Sequence, residues 1–306
     1  MSNGSGNQWL RPHSFGDDIT EIAIPLIAMR AGGEELPSGT AFFVGPWFAI
    51  AAAHVLEDYS LRYDGRLPAY GETPSSFEIL SFQVLDSGRG ILPLRVHRLW
   101  FAPPLDIAFL HMVPAAEYDA ERPWKVPALA LLPPSVGDHI TACGYPGSRL
   151  IGGTCERKVL HQRPSSSPGV VREVHDEQRD RTVLPFPVFR SDARFDGGMS
   201  GGPVFSPSGE LCGVVCRSFT LADDEADNLS YASSLWPAVA TLVDLEWDRY
   251  RRGTFFPVLE LIQAGFLSAR HADRVRIAHD ADGARVVELY DPRGCRIGVE
   301  RAPASG

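Results

Sequence analysis

From Ile22 to about Tyr231 apolar residues come in short runs: EIAIPLIAM, GTAFFV, FAIAAA, FEILSFQVL, LPLRVHRL, DIAFLHMV, HITACGY, GPVFS and LCGVVCRSF. Each is rich in β-branched, aromatic or small apolar residues, which predicts strands. The stretches between them, among them AGGEELPSG, FAPPLD, LLPPSVGD and SPSGE, are clusters of Gly, Pro and Ser that turn the chain. Many short strands with few helical periods predict an all-β barrel or sandwich. The polar segment from about Ser148 to Arg181, including SSSPGVVREVHDEQRDR, predicts long surface loops.

The pattern changes near Leu235. In SLWPAVATLVDLEWDRYRR, Trp236, Val239, Ala240, Val243 and Trp247 recur at three- and four-residue spacing, which predicts a helix. PVLELIQAGFLSARHAD predicts a second, with Pro257 suited to the first turn. RVRIAHDADGARVVELYDPRGCRIGVE predicts a β-hairpin about the DADG turn. No internal repeat is visible. Three parts follow: a polar, disordered tail (1–18), a β-rich domain (19–235) and a small α+β extension of helices and a hairpin (236–306). The extension reads either as a structural cap or as a surface for a regulatory protein partner.

Composition narrows the function. The chain has 306 residues, 44% of them apolar, enough for a sizeable core. A net charge of -9 argues against a nucleic-acid partner, which needs concentrated Lys and Arg. The five cysteines, Cys143, Cys155, Cys212, Cys216 and Cys295, form neither a disulfide framework nor zinc-ligand spacing. They predict free thiols in a reducing compartment. IAIPLIAM is too short and wrongly flanked for a signal peptide or a membrane span, so a cytoplasmic protein without a membrane partner is expected. His97, His111, His139, His161 and His175 are scattered and H-E-x-x-H is absent, so no metal and no cofactor are expected.

Three motifs carry candidate chemistry. FAIAAAHVLED puts His54 after an apolar strand, PPLDIAFLHM puts Asp106 at the start of another, and FDGGMSGGPVF puts Ser200 inside G-x-S-G-G-P. Each has an ordinary structural reading alone; their order, His then Asp then Ser, points to nucleophilic catalysis. A serine hydroxyl needs an imidazole to take its proton, and the imidazole needs a carboxylate to fix its tautomer. The oxygen of a tetrahedral intermediate needs preorganised donors. Gly198 allows the backbone to approach closely enough for its N–H and that of Ser200 to supply them, while Gly201 and Gly202 keep the turn clear of bulk.

These residues resemble the chymotrypsin-fold, trypsin-like serine proteases, and within them the HtrA-like bacterial branch. SDARFDGGMSGGPVF is similar to that branch's sequence through the nucleophile, SGTAFFV to the strand before its histidine, AAAHVLED to its histidine motif, DIAFL to its aspartate motif and GYPG to a strand-end turn. The resemblance covers roughly residues 20–235. It implies two six-stranded antiparallel β-barrels with the site in the cleft between them. It implies His54 as general base, Asp106 as its orienting partner, Ser200 as nucleophile and the Gly198 and Ser200 amides as oxyanion hole. The expected activity is serine endopeptidase, with a protein or peptide substrate.

Departures from the pattern matter. Met199 stands where secreted relatives carry an Asp that receives a newly cut N-terminus, so activation by N-terminal cleavage is not expected. Cys216 stands where many relatives support the triad carboxylate with a serine. Residues after Tyr231 do not match a PDZ domain. The resemblance puts Arg194 near the base of the primary pocket and Arg217 and Ser218 near its wall, with Phe195 and Cys216 also among the candidate pocket residues. An inward guanidinium would select an acidic side chain; Phe195 over outward arginines would select a small or aliphatic one; Asp196 would attract a basic one. Two rival functions remain: a protease-like fold acting as a binding module, and an α/β-hydrolase, since GMSGG also satisfies G-x-S-x-G. The latter needs its Asp and His after the Ser, where only His271 and His279 are available.

Overall fold

The computed structural model describes residues 10–14, 17–30, 35–85, 90–115, 124–151, 159–220, 228–246 and 253–302. The first six strands are β1 (Ala23–Arg30), β2 (Glu35–Gly45), β3 (Phe48–Ala51), β4 (Phe77–Leu85), β5 (Gly90–Phe101) and β6 (Ala108–Pro114). They close into an antiparallel barrel in the order β1-β2-β3-β6-β5-β4. Along β5 the apolar Leu92, Leu94 and Val96 are buried while Pro93, Arg95 and His97 between them are exposed.

The next six are β7 (His139–Gly144), β8 (Ser165–His175), β9 (Val188–Ser191), β10 (Pro203–Phe205), β11 (Leu211–Thr220) and β12 (Asn228–Ser233). Their order is β7-β8-β9-β12-β11-β10, and a β10–β11 pairing together with β10–β7 closes the ring. The chain is mainly β, with two six-stranded antiparallel barrels of identical strand order. The first strand, hairpin and return repeat in the second barrel, although the sequence shows no repeat.

Several expectations need correction. SSSPGVVREVH is not a surface loop but β8, whose first residues pair with β7 and whose last pair with β9. Its Pro168 and Gly169 disguise a strand, yet Gly169 is required, because a Cβ there would meet the Ala193 backbone. Part of the supposedly disordered tail is ordered: Arg11–Pro12 pairs with Ser165–Ser166, and His13 Nε2 lies 2.9 Å from Ser166 Oγ. Residues 1–9 and 15–16 lie outside the described residues, as does Cys155.

The helix expected from Trp236 is a 3₁₀ turn, Trp236–Ala240, followed by a two-residue strand, Leu242–Val243. Every residue of Trp236–Ala240 is buried, so the apolar spacing reflects immersion on all sides rather than one face of a helix. Trp247 lies outside the described residues. The second helix is confined to α2 (Val258–Gln263), with Pro257 as its N-cap. The hairpin is a three-stranded sheet: Val275–His279, Arg285–Tyr290 and Arg296–Arg301.

These C-terminal elements cap both barrels. Trp236, Leu245, Val258 and Leu261 share one core with Phe42, Phe48 and Trp100 of the first barrel and Val188, Leu211 and Val214 of the second. The Asp244 carboxylate pairs with Arg98 and accepts from Trp100 Nε1 at 3.1 Å. Tyr70 Oη donates to the Leu242 carbonyl at 2.6 Å. Ala269–Arg270 adds a parallel strand to Leu129–Ala130, which pairs in turn with β11. The apolar side of α2, which a partner would need exposed, is buried in this core.

Candidate active site

His54 lies in the first turn of a helix, α1 (Ala53–Asp64), that leaves the end of β3. The N-cap residue is Ala52, which has no side chain to cap with. The cap is supplied from elsewhere: the His54 backbone N–H donates to Asp106 Oδ1 at 2.8 Å. The other Asp106 oxygen, Oδ2, lies 2.7 Å from His54 Nδ1. Asp106 is nearly buried, held just before β6. Its Oδ2 also accepts from Cys216 Sγ on β11, at 2.9 Å.

Burial pushes the Asp106 carboxyl up, but the hydrogen bonds and charge of His54 and the Cys216 thiol outweigh it, leaving the group below the ordinary carboxylate range. Burial and the Asp106 charge push the Cys216 thiol well above its ordinary range, so it stays a donor. An anionic carboxylate only accepts, so Nδ1 is the donor of that bond and Nε2 is the acceptor nitrogen of the neutral ring.

Ser200 sits in the turn between β9 and β10, in the second barrel. His54 and Ser200 line one cleft of about 320 Å³. The turn is tight: Met199 N–H donates to the Asp196 carbonyl at 3.0 Å and Gly202 N–H to the Met199 carbonyl at 2.8 Å. Gly198 has φ +98°, and a Cβ there would stand 2.6 Å from the Tyr145 carbonyl oxygen. Only glycine fits. Among the described residues, neither the Gly198 nor the Ser200 N–H donates to another protein group. Thr40 on β2 reaches across from the first barrel. Its N–H donates to the Ser200 carbonyl and its Oγ1 to the Gly198 carbonyl, both at 2.8 Å.

The trypsin-like peptidase domain matches residues 39–214, more than half of the chain and all three candidate side chains. The chain belongs to the trypsin-like peptidase family. It is therefore a protease, and protein or peptide is its substrate class. No curated protein sequence matches it. Among solved structures, the peptidase is similar to the active form of the Rv3671c protease from M. tuberculosis, with 20% identity, 71% of this chain and 77% of that chain covered, and a TM-score of 0.44. It is also similar to Deg5, with 16% identity, 71% and 84% covered, and a TM-score of 0.45. The MamO protease domain from Magnetospirillum magneticum shows 17% identity, 72% and 94% covered, and a TM-score of 0.43.

The residues expected around the primary pocket of the peptidase are dispersed. Arg194 Nε donates to Asp196 Oδ1 at 2.7 Å, so the two charges expected to compete for a substrate satisfy each other. Phe195 is 4% exposed and packs with Met199 and Val204 inside the second barrel. Cys216 is buried against Asp106, while Arg217 and Ser218 are exposed on β11. None of the five lines the cleft that holds His54 and Ser200. Its remaining walls are Val55, Asp58, Tyr59 and Arg62, all on α1. Sequence reasoning missed these four because it read FAIAAA as a strand and assigned no helix to the residues after it. The spacing of His54, Asp58 and Arg62, four residues apart, is the signal that places them on one helix face. Among the described residues, no group of His, Cys, Asp and Glu side chains is arranged to hold a metal ion, and no helix is long and apolar enough to cross a membrane.

Proposed function

We propose that the peptidase is a serine endopeptidase that works through an acyl-enzyme on a His54–Asp106–Ser200 triad. The observation that carries this reading is the doubly held imidazole: Asp106 grips His54 by its backbone N–H and by Nδ1, and His54 opens onto the cleft of Ser200. Ser200 Oγ attacks the peptide carbonyl carbon while His54 Nε2 takes the hydroxyl proton. Asp106 stabilises the imidazolium that forms. The carbonyl oxygen, now an alkoxide, is met by the unengaged N–H groups of Gly198 and Ser200. The C–N bond breaks as His54 returns the proton to the leaving amine. Water, deprotonated by His54, then cleaves the Ser200 ester and restores the enzyme.

Labelling with a fluorescent fluorophosphonate tests the assignment. Wild type is expected to label and Ser200→Ala is not; equal labelling of both, or none of wild type, would sink it. For the residue before the scissile bond we favour a small aliphatic side chain over an acidic one, because Arg194 is held by Asp196. A peptide-library digest decides this, and enrichment of Glu or Asp at that position would reverse the preference.

A further inference from the structure

Four successive carbonyls in the nucleophile turn are tied down. The Gly197 oxygen accepts from Gly147 N–H at 3.2 Å, and the Met199 oxygen from Gly202 N–H at 2.8 Å. The Ser200 oxygen accepts from Thr40 N–H, and the Gly198 oxygen from Thr40 Oγ1, each at 2.8 Å. In a trans peptide the C=O and N–H point opposite ways. Fixing the Gly197 and Met199 carbonyls therefore turns the N–H groups of Gly198 and Ser200 to the other side. The peptide that links these two units carries the Gly198 carbonyl. It is the one held by a side chain.

We propose that Thr40 is the positioning residue of the oxyanion hole, its hydroxyl clamping the Gly198 carbonyl and thereby setting where the Gly198 and Ser200 amides point. The proposal rests on the reading of Ser200 as nucleophile. The same peptide is held at its other end, where Met199 N–H donates to the Asp196 carbonyl at 3.0 Å, and Thr40 fixes the carbonyl end. Gly197 and Gly198 form the most freely rotating dipeptide a chain can have, and Gly198 already sits at φ +98°. The hydroxyl is fully engaged, because it also accepts from Tyr145 N–H at 3.1 Å. Thr40 is completely buried. Space around it is short: a Cβ on Gly144 would come within 3.0 Å of Oγ1. Thr40 thus joins three segments, β2 of the first barrel, the end of β7 and the nucleophile turn. A hydroxyl that served packing alone would need none of these directions.

The test compares wild type, Thr40→Val, Thr40→Ser, Thr40→Ala and Ser200→Ala. Each is assayed for the rate of fluorophosphonate labelling, for kcat and KM on fluorescently labelled casein, and for Tm. Losing a whole oxyanion donor costs about 10²–10³ in rate, so misplacing donors in folded Thr40→Val is expected to slow labelling and kcat by about 10-fold or more, with KM nearly unchanged. Thr40→Ser keeps the donor and is expected to react at the wild-type rate. Should the valine variant not fold, the smaller Thr40→Ala decides in its place. A folded Val or Ala variant that reacts at the wild-type rate overturns the proposal, as does a Ser variant as slow as Val. If Ser200→Ala labels like wild type, the nucleophile assignment has failed and this proposal falls with it; labelling lost in Ser200→Ala but intact in Thr40→Val refutes the clamp alone.

Discussion

The Asp106 carboxylate accepts from His54 N–H, from His54 Nδ1 and from the Cys216 thiol, and each bond makes a separate prediction. Asp106→Asn keeps the shape but loses the charge and the tautomer, and kcat is expected to fall by about 10⁴-fold, as in the general Ser-His-Asp template. The folded-state pKa of Asp106 is depressed, so its contribution to stability is complete above the ordinary value of 3.8 and is lost as pH falls through the folded value. The acid limb of a Tm-against-pH curve should therefore be shallower in Asp106→Asn. A hydroxyl is a better donor than a thiol, so Cys216→Ser should raise kcat, by no more than the about tenfold equivalent of one ordinary hydrogen bond. Glu57, one turn along α1 from His54, has its pKa raised by burial first and by the Asp106 charge second. A raised carboxyl pKa weakens folding as pH climbs through it. Glu57→Gln should therefore raise Tm at pH 7, by on the order of 1 °C, with the difference gone once pH is well below the ordinary 4.5. A Tm gain that persisted in acid would contradict the assignment of that shift to the carboxylate.

Helix α1 shows why the site was only partly legible. Its end is written locally: Gly65 adopts φ +68° in a left-handed C-cap, and a Cβ there would meet nothing, so Gly65→Ala should cost about 1–2 kcal/mol in urea unfolding from backbone strain alone. Its start is not. The residue at the N-cap is alanine, and the capping carboxylate comes from Asp106, in the turn before β6. A cap delivered across the fold leaves no mark in the neighbouring sequence, so the apolar AAA was read as a strand. The cleft walls on α1 were lost with it. His54, Asp106 and Ser200 could be singled out as candidates because the chemistry proposed for them depends on residue type and order. Phe195 packs into the barrel core, and an aromatic in a glycine-rich turn gives no sign in the sequence of facing there. The β8 strand was hidden by its serines, which are buried yet polar.

At the scale of the molecule, the identical strand order of the two barrels is topological, and pairing order needs no sequence likeness to be reproduced. The C-terminal segment was misread in a related way. Periodicity reports burial on one face, whereas Trp236–Ala240 is enclosed on all of them. Asp244, 2% exposed and bound to Arg98, is one of the ties between that segment and the first barrel. Breaking a buried ion pair from one side costs about 3–5 kcal/mol, which is the loss expected for Asp244→Ala in chemical denaturation. A chain ending at residue 246 would open the shared core and is expected to be recovered as aggregate; a soluble, folded product would show that the extension is an accessory after all.

The strap that runs from β12 across to Arg98 and Trp100 also decides what a heat-inactivation curve measures. His54 and Asp106 ride on one barrel and Ser200 on the other, so turnover reads the alignment between two bodies, while circular dichroism reads the integrity of each. If the strap loosens first, activity disappears at a temperature where the circular dichroism spectrum still looks native, and cooling restores it.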